Sequence, residues 1–249
     1  MHSDLEVGIL TAAERVIFVV LFLITGTLTA LAARRIIAII AQGSGRPPWR
    51  EIPQRIGSVL AKTLTFSTVF SARPLASFFH GLVGWGFIFY LLVNLGDVLT
   101  GFIENFNFLG DGAIGAVYRL GADLLSVGVL IGMAALMIRR FVFRPQELNV
   151  RPATELHPRA RFGIRKDSAI VGVFILVHVG ARFLGESFHI AAAGTDVWQP
   201  LASWVANLWV GWGDASLEIA RHAVWWLALG AILAFTPYFL YSKHIHLFF

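Results

Sequence analysis

Long apolar runs, separated by short charged segments, set the pattern of this chain. "VIFVVLFLITGTLTALAA", after Arg15, holds no charged side chain. Hydrocarbon offers no hydrogen-bond partner, so a spanning backbone must bond to itself. Runs of twenty or more apolar residues, rather than short alternating segments, then predict helices instead of a barrel. The predicted spans are 15–40, 74–102, 114–141, 168–192 and 216–249. Each is long enough for ~30 Å of hydrocarbon. Pro237 predicts a kink or tilt in the last. Between the fourth and fifth lies "VWQPLASWVANLWVGWG". Its Trp198, Trp204, Trp209 and Trp212 predict a short helix in the outer interface, where indoles sit. The expected fold is all-α, a five-helix transmembrane bundle forming a single domain over residues 1–249.

Composition agrees. Hydrophobic residues make up 57% and charged residues 14%, against roughly 25% charged in a soluble domain. Mean hydropathy is +0.70. There is no cysteine, which excludes disulfides, iron–sulfur clusters and thiolate metal sites within this chain. The opening "MHSDLEVGILTAAER" is acidic and lacks a cleavage site after a short apolar core, so no cleaved signal peptide is expected.

Charge gives direction. Residues 34–73 hold seven basic side chains, among them Arg46 and Arg73, against one acid, and residues 139–167 hold eight against three. Residues 97–123 and 186–221 each hold four acids and one arginine. The basic loops should be cytoplasmic, with the N-terminus outside and the C-terminus inside. This asymmetry accounts for the isoelectric point near 10.1. No nucleic-acid partner is expected, and the basic loops would attract anionic lipid.

Eight histidines are the candidate chemistry. His2 and His157 fall in a tail and a basic loop and read as solvated. Ionisable residues within spans are costly and usually functional. His80, in "RPLASFFHGLVGWGF", lies six residues into the second span, roughly 9 Å past its inner edge. Gly81, Gly84 and Gly86 surround it; they either let helices pack closely or clear room for a flat macrocycle. His244 and His246 lie at the inner end of the fifth span, at the depth of His80. A haem could be held between the two helices. Snorkelling at the interface is the alternative. Two residues apart on a helix, His244 and His246 point about 200° from each other, so one of them would face the haem. A haem with two histidine ligands moves electrons and binds no substrate. Arg73 and Lys243 lie where haem propionates would need cations, or are ordinary positive-inside residues. His178, His189 and His222 could serve a second haem, a quinone, or a neighbouring hydrogen bond. In the outer halves of the spans, Asp97, Arg119, Asp123, Arg182 and Glu186 are candidates for quinone or proton chemistry. Arg182 and Glu186, four apart, form a natural ion pair.

"RPLASFFHGLVGWGF", "RRFVFRPQELN" and "TPYFLYSKHIHLF" resemble the membrane cytochrome b of the respiratory nitrate reductase gamma-subunit family. They are closer to the type fused to or paired with heterodisulfide-reductase-like iron–sulfur proteins. In the nitrate reductase type, four histidines on helices two and five bind two b haems. The resemblance implies that His80 and His246 ligate the iron of the haem nearer the cytoplasm. The other pair of ligand positions is occupied by Tyr90 and Ala228. One haem b is therefore expected rather than two, unless His178, His189 or His222 supply a replacement pair. The resemblance further implies a prokaryotic inner (cytoplasmic) membrane. It also implies electron transfer between a membrane quinone and a separate iron–sulfur subunit, docked near Lys243 and the basic loops. A non-redox membrane anchor or transporter subunit is the competing class.

Overall fold

The computed structural model describes residues 9–45, 49–71, 73–104, 106–151 and 153–247. His2, Arg46 and the last two positions of the expected fifth span lie outside the described residues. The described residues form helices and loops with no strand. Five helices are long and apolar enough to cross a membrane. They are α1 (Ala12–Ile40), α4 (Pro74–Phe102), α5 (Ala113–Ile138), α6 (Pro158–Ala193) and α8 (Asp214–Phe239). The short helices α2 (Ile52–Thr65) and α3 (Ser67–Phe70) precede α4, and α7 (Pro200–Ala206) precedes α8.

Local signals explain the boundaries. Thr11 and Glu14 form a reciprocal capping box at the start of α1. Prolines open α4, α6 and α7 at first-turn positions, where the missing N–H costs nothing. His157, expected to be merely solvated, caps α6: its Nδ1 accepts from the Arg159 N–H at 3.2 Å. α6 therefore starts ten residues before the expected 168. The end of α5 widens into a π turn over Arg139–Phe143, closed by Arg144 at φ +48°. The short helix expected between the last two spans is present as α7, continued by a 3₁₀ turn over Asn207–Trp209. Trp198, Trp204 and Trp212 are exposed, and Trp209 Nε1 donates to Ser187 Oγ at 3.0 Å.

Two expectations need correction. The fifth span does not run to the chain's end. α8 stops at Phe239, the chain turns, and a 3₁₀ segment occupies Lys243–Leu247. Asp167 of α6 holds the reversed chain by accepting the Tyr238 hydroxyl and the Lys243 N–H, so the helix does not run on. The second correction concerns residues 34–73, which are more than a basic loop. They hold α2, with Ile56, Val59, Leu60 and Leu64 all exposed and interleaved with Arg55 and Lys62.

The spans pack in the order α4, α5, α6, α8, α1. Tyr90 and Val93 of α4, Tyr118, Val129 and Met133 of α5, Ile175 and Val179 of α6 and Phe235 of α8 share one core. A second core joins Leu10 and Phe18 to Trp225, Leu229 and Leu233. Small residues set the close approaches, as between helices in lipid. A Cβ at Gly86 would lie 2.0 Å from Val129 Cγ2, and one at Gly172 would lie 2.2 Å from Met137 Sδ. An alanine at either site would force the facing side chain, Val129 or Met137, to move. Large apolar side chains such as Leu91, Ile114, Val117 and Ile219 remain exposed, as expected of surfaces facing lipid.

Candidate functional site

The end of the bundle that carries the basic loops gathers three histidines. Past Phe239 the chain reverses: Tyr241 and Ser242 N–H groups donate to Tyr238 O at 2.9 and 3.0 Å. Buried Ser242 Oγ donates to Phe239 O and accepts the His244 N–H. Asp167, at the inner part of α6, pins this reversal. It accepts the Tyr238 hydroxyl at 2.6 Å and the Lys243 N–H at 3.1 Å. Lys243 Nζ donates to the neighbouring Ser168 Oγ at 2.7 Å. The 3₁₀ segment is thereby turned back toward α4.

His80 and His246 meet there, with ring centroids 6.2 Å apart and planes at 53°. His246 Nδ1 lies 2.6 Å from Lys243 O. That bond needs the proton on Nδ1 and leaves the Nε2 lone pair available. Both rings are exposed on the protein surface. His244 is different. Phe87, Phe235 and Phe239 surround it at 5.6–6.1 Å, and its Nδ1 is buried without a hydrogen bond. Burial first, then the neighbouring His246, pushes the His244 pKa down to about 4, so its ring is neutral at physiological pH.

The residues fit a haem iron. Metal–imidazole bonds of about 2 Å place two such ring centroids about 6 Å apart across one metal, the separation found for His80 and His246. Among the described residues, no group of three or more His, Asp or Glu side chains forms a metal site. Two histidines suit an iron whose other four ligands come from a macrocycle. Of the three glycines near His80, Gly84 is occupied by a phenyl ring, that of Phe66, and does not clear room for a macrocycle. A Cβ there would lie 2.4 Å from Phe66 Cζ, and Phe66 also meets His80 edge-on at 5.8 Å. Phe66 holds this place from a left-handed backbone, φ +50°. Gly86 instead serves the α4–α5 contact. Lys243 is engaged by Ser168, and burial, then Arg140, lowers its pKa. Arg73 is exposed at the N-cap of α4.

Tyr90 and Ala228 come together around a third residue. His178 Nδ1 donates to Ala228 O at 3.0 Å, and Tyr90 packs edge-on against the imidazole at 5.6 Å. The Tyr90 hydroxyl in turn meets Ser126 Oγ at 2.6 Å. The space between α4 and α8 at this depth is filled by the His178 side chain. His222 has both nitrogens engaged, one at Ile9 O and one at Glu14. His189 is exposed near the far end of α6.

The half of the bundle away from His80 and His246 holds a half-buried charge cluster. Arg182 lies 3.5 Å from Glu186, the expected partner, and 3.5 Å from Asp97 on α4. Its side chain is only 9% exposed. Asp123 has a different setting: its two oxygens accept the N–H groups of Leu201 and Ala202 at 2.8 and 2.9 Å. It anchors the first turn of α7. Arg119 pairs with Asp196 at 2.8 Å.

Sequence reasoning missed Asp167 and Glu14. Both are single acids at the edges of spans, and their roles follow from which distant segment folds onto them. No family model, curated protein or solved structure matches this chain.

Proposed function

We propose that the chain is a membrane cytochrome b subunit that passes electrons between a membrane quinone and an iron–sulfur partner on the cytoplasmic side. The observation that carries this reading is the 6.2 Å approach of His80, near the start of α4, to His246, on the turn after α8. His80 and His246 would hold the iron, and the haem would supply a reversible one-electron couple when bound. The chain's own residues position the ligands. Asp167 and Ser168 fix the terminal turn, the Lys243 carbonyl sets the His246 tautomer, and Phe87, Phe235 and Phe239 pack around the neighbouring His244. Second-sphere hydrogen bonds of this kind orient a histidine and raise its basicity as a ligand.

His178, filling the space between Tyr90 and Ala228, supports one haem rather than two. The Asp97–Arg182–Glu186 cluster supports the quinone end of the pathway. It offers hydrogen-bond donors and acceptors in the outer half of the spans, and its two carboxylates share one guanidinium. Cytoplasmic placement of the haem rests on the charge bias of the loops.

The test is a reduced-minus-oxidised spectrum of the purified protein, with haem assayed against protein. A b-type spectrum at one haem per chain is the expected outcome. A colourless protein that stays so after reconstitution with haemin overturns the reading and favours a non-redox anchor.

A further inference from the structure

The seam between α1 and α8 differs at three levels. At the outer end it is fastened by polar contacts. Glu14 Oε1 meets His222 Nε2 at 2.5 Å and Trp226 Nε1 at 3.0 Å, and the Ile9 and Leu10 N–H groups donate to Thr100 O and Gly101 O on α4. Midway, Thr25 Oγ1 donates to Leu233 O at 3.0 Å. Past Thr25, among the described residues, the polar side chains of α1 make no hydrogen bond or ion pair to α8: Thr27 and Thr29 bond within their own helix. There the seam opens into a groove of about 570 Å³, floored by Leu28, Leu31, Ala32 and Pro237 and flanked by Tyr241.

Arg34 and Arg35 stand at the edge of this groove. Both are exposed, and neither has an acidic partner among the described residues. They lie about 28 Å along the helix from Arg15, nearly one hydrocarbon thickness, and so reach the opposite headgroup level. Neighbouring positions on a helix project about 100° apart, so the two guanidiniums approach a headgroup from different sides. An apolar trough between helices, ending in unpaired arginines at headgroup depth, suits acyl chains joined to a phosphate.

We propose that this groove binds an anionic phospholipid. Its acyl chains lie along Leu28, Leu31 and Pro237, and its phosphate sits on Arg34 and Arg35. The lipid is the third fastening of α1, at the level where its own polar side chains supply none. The site stands apart from the histidine cluster and does not depend on whether haem is bound.

The experiment uses the full chain in mild detergent, with native mass spectrometry, phospholipid analysis and thermal unfolding. Retained anionic phospholipid is expected, with a rise in Tm on adding cardiolipin or phosphatidylglycerol but not phosphatidylcholine. R34Q/R35Q should weaken binding about thirtyfold and abolish the Tm rise. R34K/R35K should keep most of both, and R50Q/R151Q should leave them unchanged. An equal response to phosphatidylcholine overturns the proposal, as does lipid retained by R34Q/R35Q, or no response of the unaltered chain to anionic lipid. If R34Q/R35Q fails to fold, the lipid comparison on the unaltered chain and R34K/R35K decides the matter.

Discussion

Thr25 Oγ1 donates to the Leu233 carbonyl oxygen, the acceptor that Pro237 leaves without its helical N–H. A proline removes the bond from its own position to the residue four earlier, and in lipid the freed carbonyl needs a partner. α1 supplies it. The contact explains how a proline near the end of α8 is tolerated, and why a threonine interrupts the apolar run of α1 at that level.

Thr25→Val should therefore cost about 1 kcal/mol. On a Pro237→Ala background the cost should shrink, because the alanine backbone returns an N–H to Leu233 O. A double-mutant cycle measured by unfolding in detergent reads the coupling. Additive effects would show that the bond contributes nothing.

His80→Ala and His246→Ala should each abolish a b-type spectrum, while His244→Ala should keep the haem and lose stability only. The basis is that His244 lies among Phe87, Phe235 and Phe239, whereas His246 faces His80. Haem retained in His246→Ala but lost in His244→Ala would reverse the two roles.

Much of this was legible in the chain. Apolar run length located all five spans, and the tryptophans around Trp204 marked α7. Depth set His80 level with the closing histidines, since His80 opens one span and they follow another, but only the resemblance chose His246 over His244. Tertiary choices were not legible. That α8 ends at Phe239 depends on Asp167 capturing the reversed chain, and Asp167 looks ordinary in a basic stretch. Asp123 resembled a functional carboxylate in an apolar span, yet it serves α7, seventy-eight residues further on. α2 gives no clear signal, because its fourteen residues are too few for a span and too mixed to read as one.

His244 predicts how stability depends on pH. Its folded pKa is depressed to about 4 from the ordinary 6.5, so the unfolded chain takes up a proton first on acidification. Its contribution is present above pH 6.5 and is lost as the pH falls toward 4. The haem-free protein should lose Tm across that window, and His244→Phe should lose less. Equal slopes would remove His244 from the account.

Arg182 should be among the costliest single substitutions. Arg182→Met leaves Asp97 and Glu186 half-buried together without their cation, and such a change costs about 3–5 kcal/mol. Neutralising the whole cluster, as Asp97→Asn/Arg182→Met/Glu186→Gln, should restore most of that stability. Comparing folded yield and unfolding midpoints of the single and triple variants checks this. A triple variant no better than Arg182→Met would mean that the charges do not act as a unit.

α6 spans thirty-six residues, about 54 Å of rigid helix at 1.5 Å per residue, whereas the hydrocarbon takes up about 30 Å. Its first turn, carrying Arg159 and Arg161, therefore reaches past the headgroups, which bring the bilayer to about 40–45 Å, as a stiff mast. Anything that grips this mast is held at a set standoff from the lipid. Because Asp167 lies at its root, a sideways push on the mast is transmitted to the turn that carries His246.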